Sequence, residues 1–251
     1  MKKIGIALII LLSVLSIVSL FYFDPIAQDN TYHNFADQRE IFGIANLLNV
    51  ASNLPFLIVG WLGVYMTINS KLHILEKLKM AYMIMFCGLI VIFIGSSYYH
   101  LMPNNESLVW DRLPMAVVFM SLFSIIVSEF VSMDLGKKLL FPFIVAGIAS
   151  VVYWHMTEQI GVGDLRFYGL VQFLPIMIIV AILIFFKSNH KSDVYAYTYL
   201  LIAYAVAKVF EYYDAQVYEY LILISGHSIK HVIAAVGLYM FLIKKRIALK
   251  R

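Results

Sequence analysis

The sequence contains one cysteine and few charged residues. Only 14% of its 251 residues are charged, whereas about 25% is usual in a soluble domain. Cys87 is the single cysteine, which excludes an intrachain disulfide and a cysteine-rich metal site. The net charge of +4 comes from short basic patches beside apolar runs and does not indicate a nucleic-acid partner. A metal site in this chain would therefore need histidine or carboxylate ligands.

Hydrophobic residues make up 62% of the chain and are concentrated in long runs. A helix of about 20 apolar residues is long enough to cross the ~30 Å hydrocarbon core of a bilayer. The sequence predicts eight such spans, with short connections apart from the segment 24–45. The predicted spans are 4–23, 46–68, 78–101, 113–133, 138–155, 166–187, 195–212 and 218–243. The predicted fold class is therefore an all-α, polytopic membrane protein.

The first predicted span follows Met1-Lys2-Lys3, and two interpretations are open. A charged start followed by an apolar run is typical of a signal peptide. The apolar run is about 19 residues long, however, which exceeds the 7–15 residues of a signal core, and no small-residue cleavage site follows it. We therefore favour an uncleaved anchor helix in residues 1–30, followed by a helical domain at 31–243 and a basic cytoplasmic tail at 244–251.

Lysine and arginine are distributed unequally between the two sides that these spans define. Fourteen of the 19 basic residues fall in the two terminal segments and in alternate connections, while three fall in the other connections. Because basic segments stay in the cytoplasm, both termini are predicted to lie there. Acidic and histidine residues gather in the opposite connections. We therefore expect a site toward the outer face, whether periplasmic, extracellular or luminal.

Two histidines lie four residues apart in the last apolar run, in the stretch Ser225-Gly226-His227-Ser228-Ile229-Lys230-His231. On a helix, side chains at this spacing leave the same face one turn apart. Such a pair can offer two nitrogens to a zinc ion. The alternative is that both imidazoles only hydrogen-bond to neighbouring helices. Ionisable groups in a membrane are costly and usually functional, which favours the metal.

A second group of polar residues ends the third predicted span and begins the fourth. Ser96 and His100 share a helix face, and Asp111 follows eleven residues later. If the third, fourth and eighth spans pack together, His100 and Asp111 meet His227 and His231 in the outer half of the bilayer. Three histidine ligands with an open fourth position are typical of catalytic zinc.

This constellation suits the hydrolysis of an amide or ester. Zinc lowers the pKa of bound water to about 7. Asp111 would take a proton from that water and pass it to the leaving group. Ser96 would donate a hydrogen bond to the oxygen that gains charge. Because the site faces a membrane interior, the substrate is expected to be a lipid.

The three motifs together resemble the alkaline ceramidase family, within a superfamily of seven-helix membrane hydrolases that includes the adiponectin-receptor-like proteins. The resemblance covers about residues 32–240. It is carried by Ser96-x-x-x-His100, by Asp111 and by His227-x-x-x-His231. Supporting stretches, similar to bacterial members, are Tyr32–Asp37, Asn49–Phe56, Gly163–Arg166 and Ser225–His227.

The resemblance implies zinc bound by His100, His227 and His231, with Asp111 moving protons and Ser96 polarising the substrate carbonyl or stabilising the oxyanion. It implies a seven-helix core that starts at span 46–68, preceded by one extra N-terminal helix at 4–23. The activity implied is cleavage of the amide of ceramide, a membrane lipid, into a sphingoid base and a fatty acid.

The sequence departs from the eukaryotic members of the family at one position. Those members carry a calcium-binding glutamate a few residues before a Ser-Asn pair, and Asn46 stands there if Ser52-Asn53 is that pair. Calcium would need oxygen ligands, and Asp24, Asp29 and Asp37 lie upstream. Their spacing does not define a site, and a solvated acidic loop is the alternative we favour.

Short polar residues at the start of a core helix are candidates for substrate contact or for support of the metal ligands. Asn49 and Ser52 lie there, and Asn46 is expected to share a helix face with Asn49. Small polar residues commonly hold membrane helices together, which is the interpretation we favour. Support of the metal ligands is the alternative.

Charged residues near the last two predicted spans are further candidates. Lys230 is expected to pair with Glu211 or Asp214, because intramembrane charges tend to pair. A carboxylate such as Asp214 would instead support the metal if it oriented one of the histidines through its free ring nitrogen.

Two other functions remain open at this stage. One is a non-catalytic, receptor-like lipid-binding protein with a structural zinc. A structural site does not need a free carboxylate beside the metal, so Asp111 favours an enzyme over such a receptor. The other is a haem protein with two histidine ligands. His227 and His231 share one helix face, so they cannot bind opposite sides of one haem iron.

Overall fold

The computed structural model describes residues 2–74, 76–187 and 191–246. The chain is 81% helical, and the described residues form no β-strand. The helices are α1 Lys2–Tyr22, α2 Leu47–Ala51, α3 Leu54–Ile68, α4 Lys79–Leu101, α5 Asn105–Ile126, α6 Met133–Gln159, α7 Arg166–Phe185, α8 Lys191–Tyr212, α9 Asp214–Leu221 and α10 Gly226–Lys245. One π-helical turn, Val127–Val131, extends α5.

Seven helical segments in the described part of the chain are long and apolar enough to cross a membrane. They include α1 and α10, and the pair α2 and α3 counts as one of them. The predicted all-α, polytopic class is confirmed, and the protein is an integral, multi-pass membrane protein. The predicted span 195–212 corresponds to α8, whose 22 residues are sufficient in length. Asp193, Lys208 and Glu211 make it more polar than the other seven.

The prediction of one continuous span at 218–243 was wrong. Helix α9 ends at Leu221, and Ile222 has a non-helical conformation with φ 63°. A new helix, α10, begins at Gly226. Ser225 caps the new helix by accepting a hydrogen bond from the Ser228 N–H, which satisfies one of the donors that a helix start leaves unpaired. His227 and His231 therefore lie in the first two turns of α10 and not in the interior of a long helix.

The predicted span 46–68 is also interrupted, because α2 ends at Ala51 and α3 begins at Leu54. Pro55 lies in the first turn of α3, where its missing N–H costs nothing and where it cannot continue a preceding helix. The two residues between the helices, Ser52 and Asn53, are buried. This interruption places short polar side chains at the level of the candidate site.

The chain folds into two compact units. The first comprises Met1–Asp29, Leu75–Met85 and Met115–Asn189. In it, α1 packs against α7, and a side chain at Gly5 would collide with Phe185. The segment after α1 is held by Glu158, whose carboxylate accepts the Gln28 N–H at 2.7 Å.

The second unit comprises Asn30–Ile74, Phe86–Pro114 and His190–Arg251. In it α8 packs along α10, and Gly226 lets the start of α10 approach the Phe210 carbonyl. Gly95 likewise lets α4 approach the Trp110 carbonyl of α5. At the far end of α10, buried Lys245 binds Asp193 at 2.8 Å. This unit contains every residue that the sequence nominated for the site.

The predicted boundaries at 1–30, 31–243 and 244–251 follow membrane topology and stay a prediction. Residues 247–251 of the predicted basic tail lie outside the described residues. Lys245, at the start of that tail, is buried and paired as part of α10.

Candidate metal centre

Three histidines form a compact triangle in the second unit. His100 lies near the end of α4, and His227 and His231 lie at the start of α10. The ring centroids are 4.9 Å apart for His100 and His227, and 5.0 Å apart for each of the other two pairs. One candidate ligand atom from each ring lies within 4.8 Å of the other two. The three residues are 0%, 6% and 6% exposed in sequence order, so the cluster is buried.

The nitrogens of this cluster fit a metal ion. Among the described residues, none hydrogen-bonds to Nδ1 or Nε2 of His100 or to Nε2 of His227. A buried polar atom left without a partner costs about 1–3 kcal/mol, so three in one place need an explanation. Imidazole nitrogen is a preferred zinc ligand, and a cation at the centre of the triangle would bind one lone pair of each ring; the second nitrogen of His100 then carries the proton. The buried cluster can therefore hold a metal.

A serine fixes which nitrogen of His231 faces the cluster. His231 Nδ1 lies 2.8 Å from Ser52 Oγ, and that hydroxyl donates its proton to the Asn49 carbonyl at 2.9 Å. Because a serine has one proton to give, Nδ1 must be the donor toward Ser52. When the ring is neutral, its proton lies on Nδ1, and the lone pair of Nε2 is left to bind a metal ion. This is the arrangement that orients metal-binding histidines.

The side chain of Asn49, fully buried, joins α2 to the start of α10. Its Oδ1 accepts from Ser228 Oγ at 2.7 Å and from Ser225 Oγ at 3.4 Å. Its Nδ2 donates to the Asp37 carbonyl at 3.1 Å. Asn49 and Ser52 thus hold the turn that carries the histidines.

Asn46 supports the third histidine from the opposite side. Its Nδ2 donates to the carbonyl of His100 at 2.8 Å, at the end of α4. The residue has φ 51° and precedes α2, so the expectation that it shares a helix face with Asn49 was wrong. The left-handed conformation, which asparagine tolerates better than most residues, directs the amide toward α4.

Asp111 and Ser96 lie next to each other. Ser96 is one helical turn before His100 on α4, and its hydroxyl is within hydrogen-bonding reach of the Asp111 carboxyl on α5. Lys230 acts electrostatically on Asp111 and on all three histidines. The structure therefore brings the carboxyl, the hydroxyl and the imidazoles into one electrostatic environment.

Lys230 forms the ion pair that the sequence suggested, and Glu211 is the partner. Its Nζ lies 2.7 Å from Glu211 Oε1, while Lys208 lies 2.5 Å from the other carboxylate oxygen. One carboxylate thus serves two ammonium groups. The pairing is the expected solution for charges in a membrane protein.

Asp214 does not orient an imidazole, so the expectation that its carboxylate binds a free ring nitrogen was wrong. One carboxylate oxygen accepts the backbone N–H of His227 at 2.7 Å, and the other accepts that of Ala36 at 3.0 Å. An acidic side chain at this point also interacts favourably with the N-terminus of α10. Asp214 therefore positions His227 through the main chain.

The segment before α2 contributes residues to which sequence reasoning assigned no role. Phe35 is 3% exposed, and its ring centroid lies 4.7 Å from that of His100 and 4.6 Å from that of His227. Tyr32 lies in the same stretch, which entered the sequence analysis only as a resemblance. The motif was the available signal, because no periodic spacing relates this loop to the helices.

The acidic residues upstream do not form a second metal cluster. In the described part of the chain, the three histidines are the one group of three His, Cys, Asp or Glu residues close enough to share an ion. Asp37 binds Arg39 with both carboxylate oxygens at 2.8 Å. These hydrogen bonds lower the pKa of Asp37 below its ordinary value. Its carboxylate is therefore committed to a structural ion pair.

Comparison with known proteins agrees with this geometry. The model of the ceramidase family matches residues 41–248, which extend from the turn before α2 to the end of α10. No curated protein sequence matches the chain. The family match spans most of the sequence and contains all three histidines, Asp111 and Ser96. The chain therefore belongs to the ceramidase family.

Proposed function

We propose that this protein is a zinc-dependent intramembrane hydrolase that cleaves the amide of ceramide or of a similar N-acyl lipid. The products are a sphingoid base and a fatty acid. Membership of the ceramidase family supports a hydrolase acting on a lipid in the bilayer. The observation that carries the proposal is the buried triangle of histidines, in which each ring has a nitrogen within 4.8 Å of a nitrogen of each of the other two.

His100, His227 and His231 would hold the zinc ion. When bound, zinc supplies a Lewis acid that polarises a carbonyl and lowers the pKa of water at the site to about 7. Ser52 keeps the proton of His231 on Nδ1, so that Nε2 faces the centre. Asn46 and Asp214 hold the backbone at His100 and at His227.

Asp111 would move the proton. Its carboxylate accepts a proton from the water whose oxygen attacks the amide carbon, and it returns that proton to the leaving nitrogen as the C–N bond breaks. Lys230 acts electrostatically on Asp111, so it would interact with the charge that this carboxylate gains and loses during the reaction.

Ser96 has one proton to donate, so its hydroxyl serves one acceptor at a time. While Asp111 is ionised, the hydroxyl is within reach of the carboxylate and can orient it. Once Asp111 has taken a proton, the hydroxyl is free to donate to the carbonyl oxygen that gains negative charge. Ser96 would therefore couple proton transfer to stabilisation of the oxyanion.

Metal analysis beside a lipid hydrolysis assay tests the proposal. Purified protein should contain about one zinc ion per chain, and a chelator should remove zinc and ceramide hydrolysis together. The variant His227→Ala should lose both properties, whereas His155→Ala, changed outside the cluster on α6, should keep both. Zinc retained by the His227 variant would contradict the proposed ligand set.

The Asp111→Asn variant separates an enzyme from a lipid-binding receptor with a structural zinc. The amide keeps the shape of the carboxyl but cannot accept the proton, so hydrolysis should fall by about 10²–10⁴-fold while zinc content stays unchanged. Asp24→Asn, in an exposed position after α1, is the matched control. Wild-type protein that binds zinc and ceramide without turnover would favour the receptor.

We also propose that both termini are cytoplasmic and that the metal centre lies toward the outer face. The unequal distribution of lysine and arginine supports this orientation. Fusion of a reporter that is active only in the cytoplasm tests it at the C-terminus. Activity of the opposite, exported reporter at that position would contradict the orientation.

A further inference from the structure

Residues 30–37 form a short segment that lies directly beside the histidine cluster and precedes the region matched by the family model. Residues Asn30–His33 form one 3₁₀ turn, and Phe35 packs its ring against His100 and His227. The segment is therefore part of the wall around the candidate metal centre.

The segment is held in place at several points. His33 Nδ1 lies 2.9 Å from the Tyr99 hydroxyl, and its Nε2 lies 3.0 Å from Asn105 Oδ1. Because an amide oxygen can only accept, Nε2 donates to Asn105. Asp214 binds the Ala36 N–H at 3.0 Å. The residues that follow Tyr32 are thus fixed.

Tyr32 extends from this segment toward the charged residues of the site. Lys230, Glu211, Arg112 and Asp111 all act electrostatically on its phenol. The Arg112 guanidinium lies 5.7 Å from the ring centroid, within the range of a cation–π contact. Tyr32 is also 39% exposed as a residue. Tyr32 therefore lies within the electrostatic influence of the charged residues of the site, and part of the residue is exposed to an incoming molecule.

The chemistry of the phenol makes it a hydrogen-bond donor here. Among the described residues, the contacts of the Tyr32 ring are with His33 and with the guanidinium of Arg112. Burial raises the pKa of Tyr32 above its ordinary value of 10.0, so the group stays protonated at any physiological pH. The Tyr99 hydroxyl, by contrast, already lies 2.9 Å from His33 Nδ1.

We propose that Tyr32 is a substrate-binding residue whose phenol donates a hydrogen bond to a hydroxyl of the lipid's polar head group. The inference rests on the proposed function, because it takes an N-acyl lipid with a hydroxylated base as substrate. In the bound lipid, the scissile amide would lie beside Asp111 and the histidines. The two hydrocarbon chains have no group that can form a hydrogen bond. The head-group hydroxyl is the polar part of such a lipid that remains for a donor at the open edge of the site.

The test compares two substrates in three proteins. Ceramide and an analogue that lacks the head-group hydroxyl are hydrolysed by the wild type, by Tyr32→Phe and by Tyr220→Phe, an exposed tyrosine of α9 that serves as the control. Removing one neutral hydrogen bond should lower kcat/KM for ceramide by roughly 3–10-fold in the Tyr32 variant, mainly through KM. The analogue should be hydrolysed equally by all three proteins.

Zinc content and melting temperature of the Tyr32 variant show whether the site is intact, and both should match the wild type. An equal loss with both substrates would overturn the proposal, because Tyr32 would then act on the shared amide or on the fold. No loss with either substrate would overturn it as well.

A binding measurement separates this inference from the proposed function. Ceramide and its hydroxyl-free analogue, each made with an amine in place of the amide, cannot be hydrolysed and are titrated into the same three proteins. A preference for the hydroxylated lipid that Tyr32→Phe abolishes supports the inference even if no amide is cleaved. If ceramide is hydrolysed but the proteins show no preference for the hydroxylated lipid, the proposed function holds and Tyr32 is not a substrate-binding residue.

Discussion

The hydrogen bond between Ser52 and His231 illustrates how much depends on one proton. Ser52 uses its own proton on the Asn49 carbonyl, so the imidazole must donate from Nδ1 and keep Nε2 free. Without the Ser52 oxygen as acceptor, the imidazole of His231 can adopt the other tautomer or rotate. The loss of this acceptor should therefore lower the affinity for the metal and leave the packing of the core unchanged.

The Ser52→Ala variant should bind zinc about 10–100-fold more weakly than the wild type, because the ring of His231 is no longer oriented. Competition with a chelator of known affinity measures this. Ser121→Ala is a matched control, since Ser121 is also buried and bonded to a helix carbonyl, that of Val117 at 2.8 Å. Equal zinc affinity in both variants would contradict the orienting role.

At the scale of single residues, the sequence predicted the identities of the ligand candidates, whereas it named Asn49, Ser52 and Asp214 as their supports only as an alternative. The spacing of His227 and His231 follows from helix geometry, and the same holds for Ser96 and His100. The backbone hydrogen bonds of Asp214 depend on the break at Ile222, and the contact of Phe35 depends on the path of a loop. Neither has a periodic pattern in the sequence.

The start of α10 is the element on which the site depends most. Its first turn is capped by Ser225, and the Asp214 carboxylate at the beginning of α9 accepts the His227 N–H. A carboxylate near the positive end of a helix is stabilising, and here it also binds the segment that carries Phe35. The break between α9 and α10 therefore creates the acceptor that fixes one histidine.

Replacement of Asp214 by alanine should lower the free energy of unfolding by about 1–3 kcal/mol, because two backbone donors lose a charged acceptor. Thermal unfolding in detergent measures the change. Glu219→Ala, an exposed acidic position on the same helix, should leave the melting temperature unchanged. If both variants have the melting temperature of the wild type, the two hydrogen bonds do not contribute to stability.

The connection between α6 and α7 should respond to acid. Hydrogen bonds from Arg166 lower the pKa of Asp164 from 3.8 to about 2. A carboxyl with a depressed folded-state pKa stabilises the protein fully above its unfolded pKa, near 4, and the contribution is lost as the pH falls toward 2. Asp164→Asn should therefore be less stable than the wild type at about pH 6, and the difference should shrink between about pH 4 and pH 2.

Melting temperatures of the two proteins across this pH range check the expectation, with Asp24→Asn as the control. A difference that does not change between neutral and acidic solution would show that the ion pair is not its source.

Sequence periodicity predicted the existence of the long helices better than their interruptions. An apolar run looks continuous whether or not the chain turns inside it, and Leu221 to Leu223 are apolar although the helix ends there. The capping serine at Ser225 is a local signal of the new start. The polar residues of α8 also explain why its composition makes it a weaker candidate for a membrane span than the other long helices.

The molecule as a whole is a multi-pass helical protein whose candidate site lies in one of two compact units. The histidines come from α4 and α10, which are far apart in sequence. An ion shared by two segments so far apart in sequence binds the folded chain much better than the unfolded one. Metal binding should therefore be linked to global stability.

Zinc added at about 100 times its dissociation constant should stabilise the wild type by about 2.7 kcal/mol and raise its melting temperature. The His100→Ala variant, which lacks one ligand, should show a much smaller rise. Scans of both proteins with zinc and with excess chelator measure the linkage. An equal rise in the variant would mean that zinc binds elsewhere on the chain.

The position of Phe35 has a kinetic consequence. Its ring lies against two of the three imidazoles and is almost fully covered, so on this side of the cluster an ion enters or leaves when residues 30–37 move away. That movement requires the loss of the bonds to Asp214, Tyr99 and Asn105. The exchange rate of a captured ion with the surrounding medium is then set by how often this short stretch opens, however tightly the nitrogens bind.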